Sequence, residues 1–385
     1  MLRALCLLLA FSVFPMPTVS ADTAPDLGAN AALKYWQAFA TMPTMTEAEQ
    51  NRLNANCLTM PLDAQARKLV DSAAYSLRMM HRGAALRHCN WGIGTEEGIY
   101  LLLPHERATR VLSSLACLRA RLRFEQGQSA KAVDDLVADI TLARHASLDG
   151  SLIAVLVGYA TEARATELLA RYLPKLDAEA AKSLKTRLAA LPAGATPAQA
   201  MKFEENAADV WLIHKAKETK DKESLLKLMG SLVTSEKENR ATRDKKAQEF
   251  LDACGGTADS VVRFAEQLRP SYARMAKMLE LPLDQTESAW KREAKAEAGN
   301  PLFPVLSPVI PKVRQSQALA DVRRALLLAA IDVQIGGQAT LKDHPDPIGR
   351  GPFEYAAFNG GFELRSKWPG PGDKPVSLTV GQRGQ

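Results

Sequence analysis

The spacing of apolar residues is the sequence feature that most constrains the fold of this chain. From about residue 63 to residue 335 these residues recur every three or four positions, which places them on one face of successive α-helices. After Gly336 and Gly337 the spacing changes to alternation, which is typical of half-buried β-strands. The sequence therefore predicts a mainly α protein, built from layered helical hairpins, that ends in a small antiparallel β-hairpin module.

Capping residues indicate where several of these helices begin. Thr46 followed by Glu49 is the pattern of a capping box, in which side chain and backbone satisfy each other's hydrogen bonds. Asp63 is placed to cap a further helix, because a carboxylate oxygen can accept the free N–H groups of a first turn. The apolar residues that follow keep one phase as far as Ala84, so we expect a single helix there.

One helical hairpin is specified in more detail. A helix over about residues 105–125 is expected to end at Gly127, and Ala132 is the small residue at which the two helices of the hairpin approach each other. Residues 118–143 resemble a tetratricopeptide hairpin, which implies one helix–turn–helix unit of about 34 residues. We find no second copy at that period, so the pattern predicts irregular helical pairs and does not establish a solenoid.

Residues 1–21 have the composition of a secretory signal peptide. Arg3 is their only charged residue, an apolar run follows it, and Val19-Ser20-Ala21 provides the small residues that signal peptidase prefers. The apolar run is shorter than the roughly 20 residues of a membrane-spanning helix. We predict that the protein is periplasmic or secreted and spans no membrane once the signal is removed. A signal retained as an N-terminal anchor is the alternative.

The net charge of +6 is distributed along the chain. Basic and acidic residues are interspersed over residues 201–250, which is typical of a solvated helix face. Arg119, Arg121 and Arg123 are close in sequence, but their alternate spacing spreads them around a helix. Because nucleic-acid binding requires basic residues that share a face, we expect no nucleic-acid partner.

Several chemically reactive side chains surround the segment Arg-His-Cys-Asn-Trp-Gly at residues 87–92. His81, Cys89 and His105 are candidate zinc ligands, because nitrogen and sulfur donors suit that ion. A nucleophilic thiol at Cys89 is a second interpretation, and it requires a base held by a third group. The segment contains neither a Cys-x-x-Cys nor a His-Glu-x-x-His pattern, so neither interpretation has a matching motif.

We favour a structural role for this segment and predict no catalytic residue, metal or cofactor. Trp91 is expected to be buried between helical layers, Gly92 allows the chain to turn, and Cys89 is a core thiol or half of a disulfide. Export permits disulfides, and Cys57 with Cys89 is the pairing to test first. Sequence spacing does not rank the pairings of the cysteines that follow the signal, which are Cys57, Cys89, Cys117 and Cys254.

The central part of the chain resembles a family of secreted bacterial helical proteins to which no activity is assigned. The matching segments are residues 81–105, residues 118–145 and residues 152–163. The resemblance extends loosely over most of the chain after residue 21. It implies a helical, exported protein and transfers no catalytic residue.

The C-terminal segment is similar to the end of the major pseudopilins of type II secretion. The similarity lies in an Asp-Pro-x-Gly turn that follows a long helix and precedes a β-hairpin. The residues that carry it are Asp346, Pro347, Gly349, Tyr355 and Gly360. Two features depart from the pseudopilin pattern, because no long apolar helix follows residue 21 and the calcium-binding loop is replaced. The resemblance therefore implies a small-sheet module without implying assembly into a pilus.

These observations divide the chain into a signal peptide at residues 1–21, an α-helical domain at residues 22–300 and a third segment at residues 301–385. That segment holds a proline-rich connector, a long helix and the β-hairpin module. The favoured function is a helical binding or scaffolding module for a peptide or protein partner. The alternatives are a metal-dependent or thiol hydrolase centred on Cys89 and His105, and a secretion-associated component that acts through its C-terminal module.

Overall fold

The computed structural model describes residues 29–235 and 237–383, so the predicted signal peptide at residues 1–21 lies outside the described part of the chain. The helices are α1 (Ala31–Ala40), α2 (Glu47–Asn56), α3 (Ala64–Ser72), α4 (Ala74–Ala84), α5 (Pro104–Glu125), α6 (Ser129–Ala146), α7 (Leu152–Tyr172), α8 (Ala178–Ala189), α9 (Pro197–Glu204), α10 (Trp211–Glu218), α11 (Lys222–Val233), α12 (Arg240–Ala253), α13 (Ala258–Leu279), α14 (Leu283–Ala296), α15 (Phe303–Leu306) and α16 (Ile310–Gly336). The strands are β1 (Glu354–Phe358), β2 (Gly361–Arg365) and β3 (Ser377–Gly381).

This architecture confirms the predicted fold class, which is mainly α with a small antiparallel sheet at the C-terminal end. The capping box at Thr46 and Glu49 is present, and Thr46 precedes α2 as its sequence pattern predicts. Within the described residues, none of the helices is both long enough and apolar enough to cross a membrane.

α5 and α6 form the predicted helical hairpin. Gly127 adopts φ +72° after the end of α5, a conformation that favours glycine. The N–H of Gln128 donates to the carbonyl of Arg123 (2.8 Å), which closes the turn. Ala132 is fully buried. α6 packs against α5 on one side and α7 on the other, so most of its surface is buried in the protein interior.

The single helix predicted over residues 63–84 is divided in the structure, so that prediction is wrong. Asp63 does cap α3, because its Oδ1 accepts the N–H of Ala66 (2.9 Å). Ala73 then leaves the helical conformation, with φ −87° and ψ 2°, and separates α3 from α4. The chain has neither glycine nor proline at this point, and the apolar pattern keeps its phase, so the sequence carries no signal for the break.

Two apolar cores share the helices α7 and α16. One core joins α1 to α8 with the later part of α16 and the C-terminal sheet, and the other joins α9 to α15 with the beginnings of α7 and α16. Ile310 on α16 belongs to the second core, whereas Val322 and Leu326 belong to the first. The boundary at residue 300 stays a prediction, and the C-terminal sheet packs on the core of the N-terminal helices.

The C-terminal sheet has the order β1-β2-β3, with both neighbouring pairs antiparallel. Gly360 adopts φ +91° in the turn that joins β1 to β2, as expected for the Asn-Gly pair at residues 359–360. Tyr355 and Phe362 stack across these strands, with ring centroids 5.3 Å apart. The third strand, predicted over residues 376–380, is β3, which leaves β3 at an edge of the sheet.

Asp346 organises the turn that leads into the sheet. Its Oδ1 accepts the N–H groups of Ile348 (3.0 Å) and Gly349 (2.8 Å). Its Oδ2 accepts the hydroxyl of Ser366 (2.5 Å) and the N–H of Lys367 (3.1 Å). A Cβ at position 349 would lie 2.1 Å from this carboxylate, so the turn requires glycine there. The Asp-Pro-x-Gly segment therefore has a structural function, while its pseudopilin resemblance stays a prediction.

Candidate functional site

The segment at residues 87–92 carries Trp91 into the protein interior. The Trp91 side chain is 5% exposed, and its Nε1–H donates to the carbonyl of His145 (2.7 Å). Its ring stacks on His105, with centroids 4.8 Å apart, and on Tyr35, with centroids 5.7 Å apart. Gly92 adopts φ +68° directly after it. Trp91 therefore packs between α1 and the beginning of α5.

His105, Glu106 and Asp149 form a buried polar cluster beside this tryptophan. His105 Nε2 lies 2.9 Å from Asp149 Oδ2 and 3.3 Å from Glu106 Oε1. The side chains of His105 and Asp149 are fully buried, and that of Glu106 is 5% exposed. The described residues offer no hydrogen-bond partner to either oxygen of Glu106 or to His105 Nδ1. The cluster thus contains a carboxylate that the protein itself leaves unsatisfied.

The electrostatics of this cluster are dominated by negative charge. Burial raises the pKa of Glu106 to about 8, and repulsion by the Asp149 carboxylate contributes to the rise. Burial also raises the pKa of Glu204, and Asp149 again adds to the effect. A buried carboxylate without a partner is unfavourable, so Glu106 requires a proton or a bound cation.

The three zinc ligands considered from the sequence do not come together. His81 Nε2 lies 2.8 Å from Asp135 Oδ1 in an ion-pair network, away from His105. Burial raises the pKa of the Cys89 thiol to about 12, which disfavours the thiolate needed for catalysis or metal binding. Over residues 29–235 and 237–383, the one group of three or more metal-ligating side chains with all donor atoms within 4.8 Å is His105, Glu106 and Asp149.

The cysteines Cys57, Cys89, Cys117 and Cys254 are all buried and all free thiols. The pairing of Cys57 with Cys89 is therefore not formed, and the thiol of a third cysteine, Cys117, donates to Asp139 Oδ2 (3.5 Å). The reason lies in the packing of the helices. Cys57 ends α2, which packs on α5, whereas the segment of Cys89 runs beside the start of α1.

Asp139 on α6 leads to a prediction about pH. Its Oδ2 accepts the hydroxyl of Ser113 (3.0 Å), and burial raises its pKa from 3.8 to about 7. The folded protein therefore keeps a proton that the unfolded chain releases, so Asp139 should lower stability as pH rises from about 4 to about 7. A tenfold change in proton affinity corresponds to about 1.4 kcal/mol, so the expected loss is on the order of 3 kcal/mol.

Urea unfolding of the wild type and the Asp139→Asn variant at both ends of this pH range measures the effect. The variant has no ionisable group at this position, so only the wild type loses this stability as pH rises. The free energy of unfolding of the variant should therefore increase relative to that of the wild type. A difference that stays constant with pH would show that Asp139 ionises as readily in the folded protein as in the unfolded chain.

A groove of about 1240 Å³ lies between α7, α16 and the C-terminal strand β3. Its lining is strongly basic, because it contains five arginines and one carboxylate, that of Glu167. The arginines are Arg121, Arg164, Arg171, Arg323 and Arg383. These residues come from α5, α7, α16 and the chain after β3, so the groove forms only when the helices and the sheet pack together.

Two of these arginines are neutralised by the protein. Arg171 pairs with Glu167 (3.1 Å), and Arg383 pairs with Glu363 on β2. Arg121, Arg164 and Arg323 form no ion pair with any carboxylate of the described residues. The groove therefore holds three guanidiniums without an ion pair, although Glu167 attracts Arg323 and Asp139 attracts Arg164 at longer range.

Two of the three unpaired guanidiniums donate hydrogen bonds to uncharged oxygen atoms. Arg121 is 8% exposed, and its Nη1 donates to the carbonyl of Cys57 (2.9 Å), while its Nε has no hydrogen-bond partner among the described residues. Arg164 Nη1 donates to the hydroxyl of Ser114 (2.7 Å). Burial lowers the pKa of Arg323, which reflects the cost of removing its charge from water. Arg121 is the one deeply buried member of the three, and an arginine is rarely buried in this way without a counter-charge.

In a second cavity, the arginines of the lining are paired with carboxylates of the protein. It measures about 320 Å³ and is lined by Glu162, Arg144 and Arg324. Here Glu162 binds Arg144 (3.0 Å) and Arg324 (2.7 Å), and Asp321 binds Arg324 (3.3 Å), so two carboxylates match the two arginines. These ion pairs join α6, α7 and α16, which is a structural function, so this cavity offers no unpaired arginine comparable to those of the groove beside β3.

Charge spacing along the sequence does not predict this groove. Arg164 and Arg171 are seven residues apart and share a face of α7, which is the one local signal. Arg121 lies on another helix, and Arg323 and Arg383 follow more than 150 residues later. The basic excess appeared diffuse because the side chains that meet in the groove are distant in sequence.

Comparison with known protein families, with curated proteins and with solved structures finds no match to this chain. The function must therefore be inferred from the side chains of the site.

Proposed function

We propose that this protein is a helical binding module that holds an acidic segment of a peptide or protein partner in the arginine-lined groove. The observation that carries the proposal is the set of three groove-lining guanidiniums, from Arg121, Arg164 and Arg323, that form no ion pair with a carboxylate of the described residues. Carboxylates of a bound partner would supply the missing charges, and the guanidinium group can bind them through two parallel hydrogen bonds.

The size of the groove supports a peptide as the occupant. Small-molecule sites have volumes of about 300 to 1,000 Å³, and this groove is larger and open to solvent. One wall is formed by α7 and α16, and the other by β3 and the residues that follow it. An extended acidic segment of several residues can place carboxylates against both walls.

The proposal assigns a binding role to the C-terminal module. It is also compatible with the periplasmic or secreted location predicted from the sequence. β3 and Arg383 line the groove, so the small sheet is part of the binding surface. Export directed by residues 1–21 would place this surface in the periplasm or outside the cell, where its partner would be another exported protein. Determination of the mature N-terminus, expected at Asp22, tests the location independently of binding.

Fluorescence anisotropy with a labelled peptide of alternating glutamate and serine tests the binding function. Arg323→Glu reverses a charge in the lining of the groove without removing a described hydrogen bond, and it should weaken binding at least about tenfold. Arg240→Glu makes the same charge change at a side chain on α12 that is 89% exposed, and it should leave the affinity nearly unchanged. Binding should weaken as salt concentration rises.

Two results would contradict the proposal. One is an equal affinity of the wild type and Arg323→Glu for the acidic peptide. The other is equally tight binding of a lysine–serine peptide of the same length, which would show that the groove does not select negative charge. Preferential binding of a polyphosphate or a nucleic acid over the peptide would assign the groove to a different class of partner.

A further inference from the structure

A second site lies outside the groove, at the junction of α5 with the turn between α6 and α7. We propose that His105, Glu106 and Asp149 bind a divalent transition-metal ion, with Zn²⁺ the first to test. This proposal is independent of the arginine-lined groove, and it concerns a different ligand set from the His81, Cys89 and His105 combination considered from the sequence.

The distances within the cluster match those of ligands that share an ion. Two ligand atoms that each lie about 2.1 Å from one ion are about 3.0 to 3.4 Å apart in octahedral or tetrahedral geometry. His105 Nε2 lies 2.9 Å from Asp149 Oδ2 and 3.3 Å from Glu106 Oε1. All three donor atoms lie within 4.8 Å of one another, so the cluster is compact enough to enclose a single ion.

Glu106 provides the independent evidence for a ligand. Its side chain is 5% exposed, it points into the cluster, and neither of its oxygens has a hydrogen-bond partner among the described residues. A hydrogen bond between His105 and Asp149 accounts for the 2.9 Å contact between those two residues, but it leaves the carboxylate of Glu106 unsatisfied. A cation would satisfy the Glu106 carboxylate together with His105 Nε2 and Asp149 Oδ2.

The donor set indicates the class of ion. His105 Nε2, Asp149 Oδ2 and the two oxygens of Glu106 make four donor atoms, one nitrogen and three oxygens. Imidazole with carboxylates suits Zn²⁺ and neighbouring transition metals, whereas Mg²⁺ and Ca²⁺ prefer oxygen ligands alone.

Asp149 has an orienting contact of the kind found around metal ions, whereas His105 Nδ1 has no hydrogen-bond partner among the described residues. Asp149 Oδ1 accepts the N–H of Ser151 (2.6 Å), which orients the carboxylate so that Oδ2 faces His105. The Trp91 ring covers one face of the imidazole. Because the site is buried, its ion would join the beginning of α5 to the turn before α7, which is a structural function and not a catalytic one.

Equilibrium dialysis followed by elemental analysis tests the site on the full chain. Protein stripped with a chelator should take up one Zn²⁺ per chain, with an accompanying change in tryptophan fluorescence because Trp91 stacks on His105. Co²⁺ in the same site should show visible absorption of a nitrogen- and oxygen-ligated ion. Glu106→Gln and Asp149→Asn should each weaken binding at least about 100-fold.

One control variant and one stability measurement distinguish loss of a metal ligand from loss of the fold. Glu204→Gln changes a nearby carboxylate that is not a ligand, so it should retain one Zn²⁺ per chain. Glu106→Gln removes the unsatisfied carboxyl group while keeping the side-chain shape, so the metal-free variant should fold at least as stably as the metal-free wild type. The proposal is overturned if no transition metal binds stoichiometrically, if binding persists in Glu106→Gln, or if only Mg²⁺ or Ca²⁺ binds.

Discussion

Trp91→Ala is expected to lower the free energy of unfolding by about 4 kcal/mol, because truncation of a buried aromatic side chain leaves a cavity that the surrounding helices fill only in part. Trp91 stacks on Tyr35 and His105 and donates a hydrogen bond to the carbonyl of His145. The substitution removes all of these interactions at the contact between α1 and α5. Urea unfolding followed by circular dichroism measures the loss.

Leu102→Ala is the matched control for this prediction. Leu102 lies on the same connection between α4 and α5, but its side chain is 81% exposed. Its truncation should change the free energy of unfolding by less than about 0.5 kcal/mol. A loss for Trp91→Ala as small as that for Leu102→Ala would contradict the placement of the tryptophan in the protein interior.

Asp135→Ala is expected to lower the free energy of unfolding by a similar amount, about 4 kcal/mol, through a different mechanism. The Asp135 carboxylate is fully buried on α6 and lies 2.7 Å from Arg123 Nη1, 3.0 Å from Arg119 Nε and 2.8 Å from His81 Nε2. Its removal leaves the guanidinium of Arg119, which is 11% exposed, without its counter-charge. Loss of one partner from a buried ion pair is strongly destabilising for this reason.

Asp134, the residue before Asp135, provides the control for this prediction. Asp134 also pairs with an arginine, Arg187 (2.9 Å), but its side chain is 49% exposed. Solvent screens that ion pair, so Asp134→Ala should lower the free energy of unfolding by less than about 1 kcal/mol. Equal losses from the two substitutions would show that burial of Asp135 does not determine its contribution to stability.

The sequence predicts the helical class and the C-terminal sheet because both follow from local patterns. Apolar periodicity and the Asn-Gly pair before Gly361 are properties of short segments, and they correctly place the α5–α6 hairpin and the three strands. The break at Ala73 is not predictable in this way, because the apolar pattern continues through it. Long-range packing, and not the local sequence, determines that the chain leaves the helix there.

The candidate sites depend on contacts between distant parts of the chain. His105 was recognised as a candidate ligand, but its partner Asp149 lies 44 residues later, and its neighbour Glu106 resembles an ordinary first-turn acid of a helix. Only the packing of the α6–α7 turn against α5 brings the three together. Arg121 and Arg323 likewise meet in one groove because α5 and α16 both pack on α7.

Hydrogen–deuterium exchange of the full chain, with and without a saturating acidic peptide, tests the proposed binding function most directly. Bound peptide should slow exchange at β3 and at the turn of Leu58 and Thr59, which line the groove, and should leave α12 and the turn around Asp149 unchanged. The proposal that the unpaired arginines of the groove bind the partner would be contradicted by either of two results. One is slowed exchange confined to regions outside the groove, and the other is no slowing of exchange at a saturating peptide concentration.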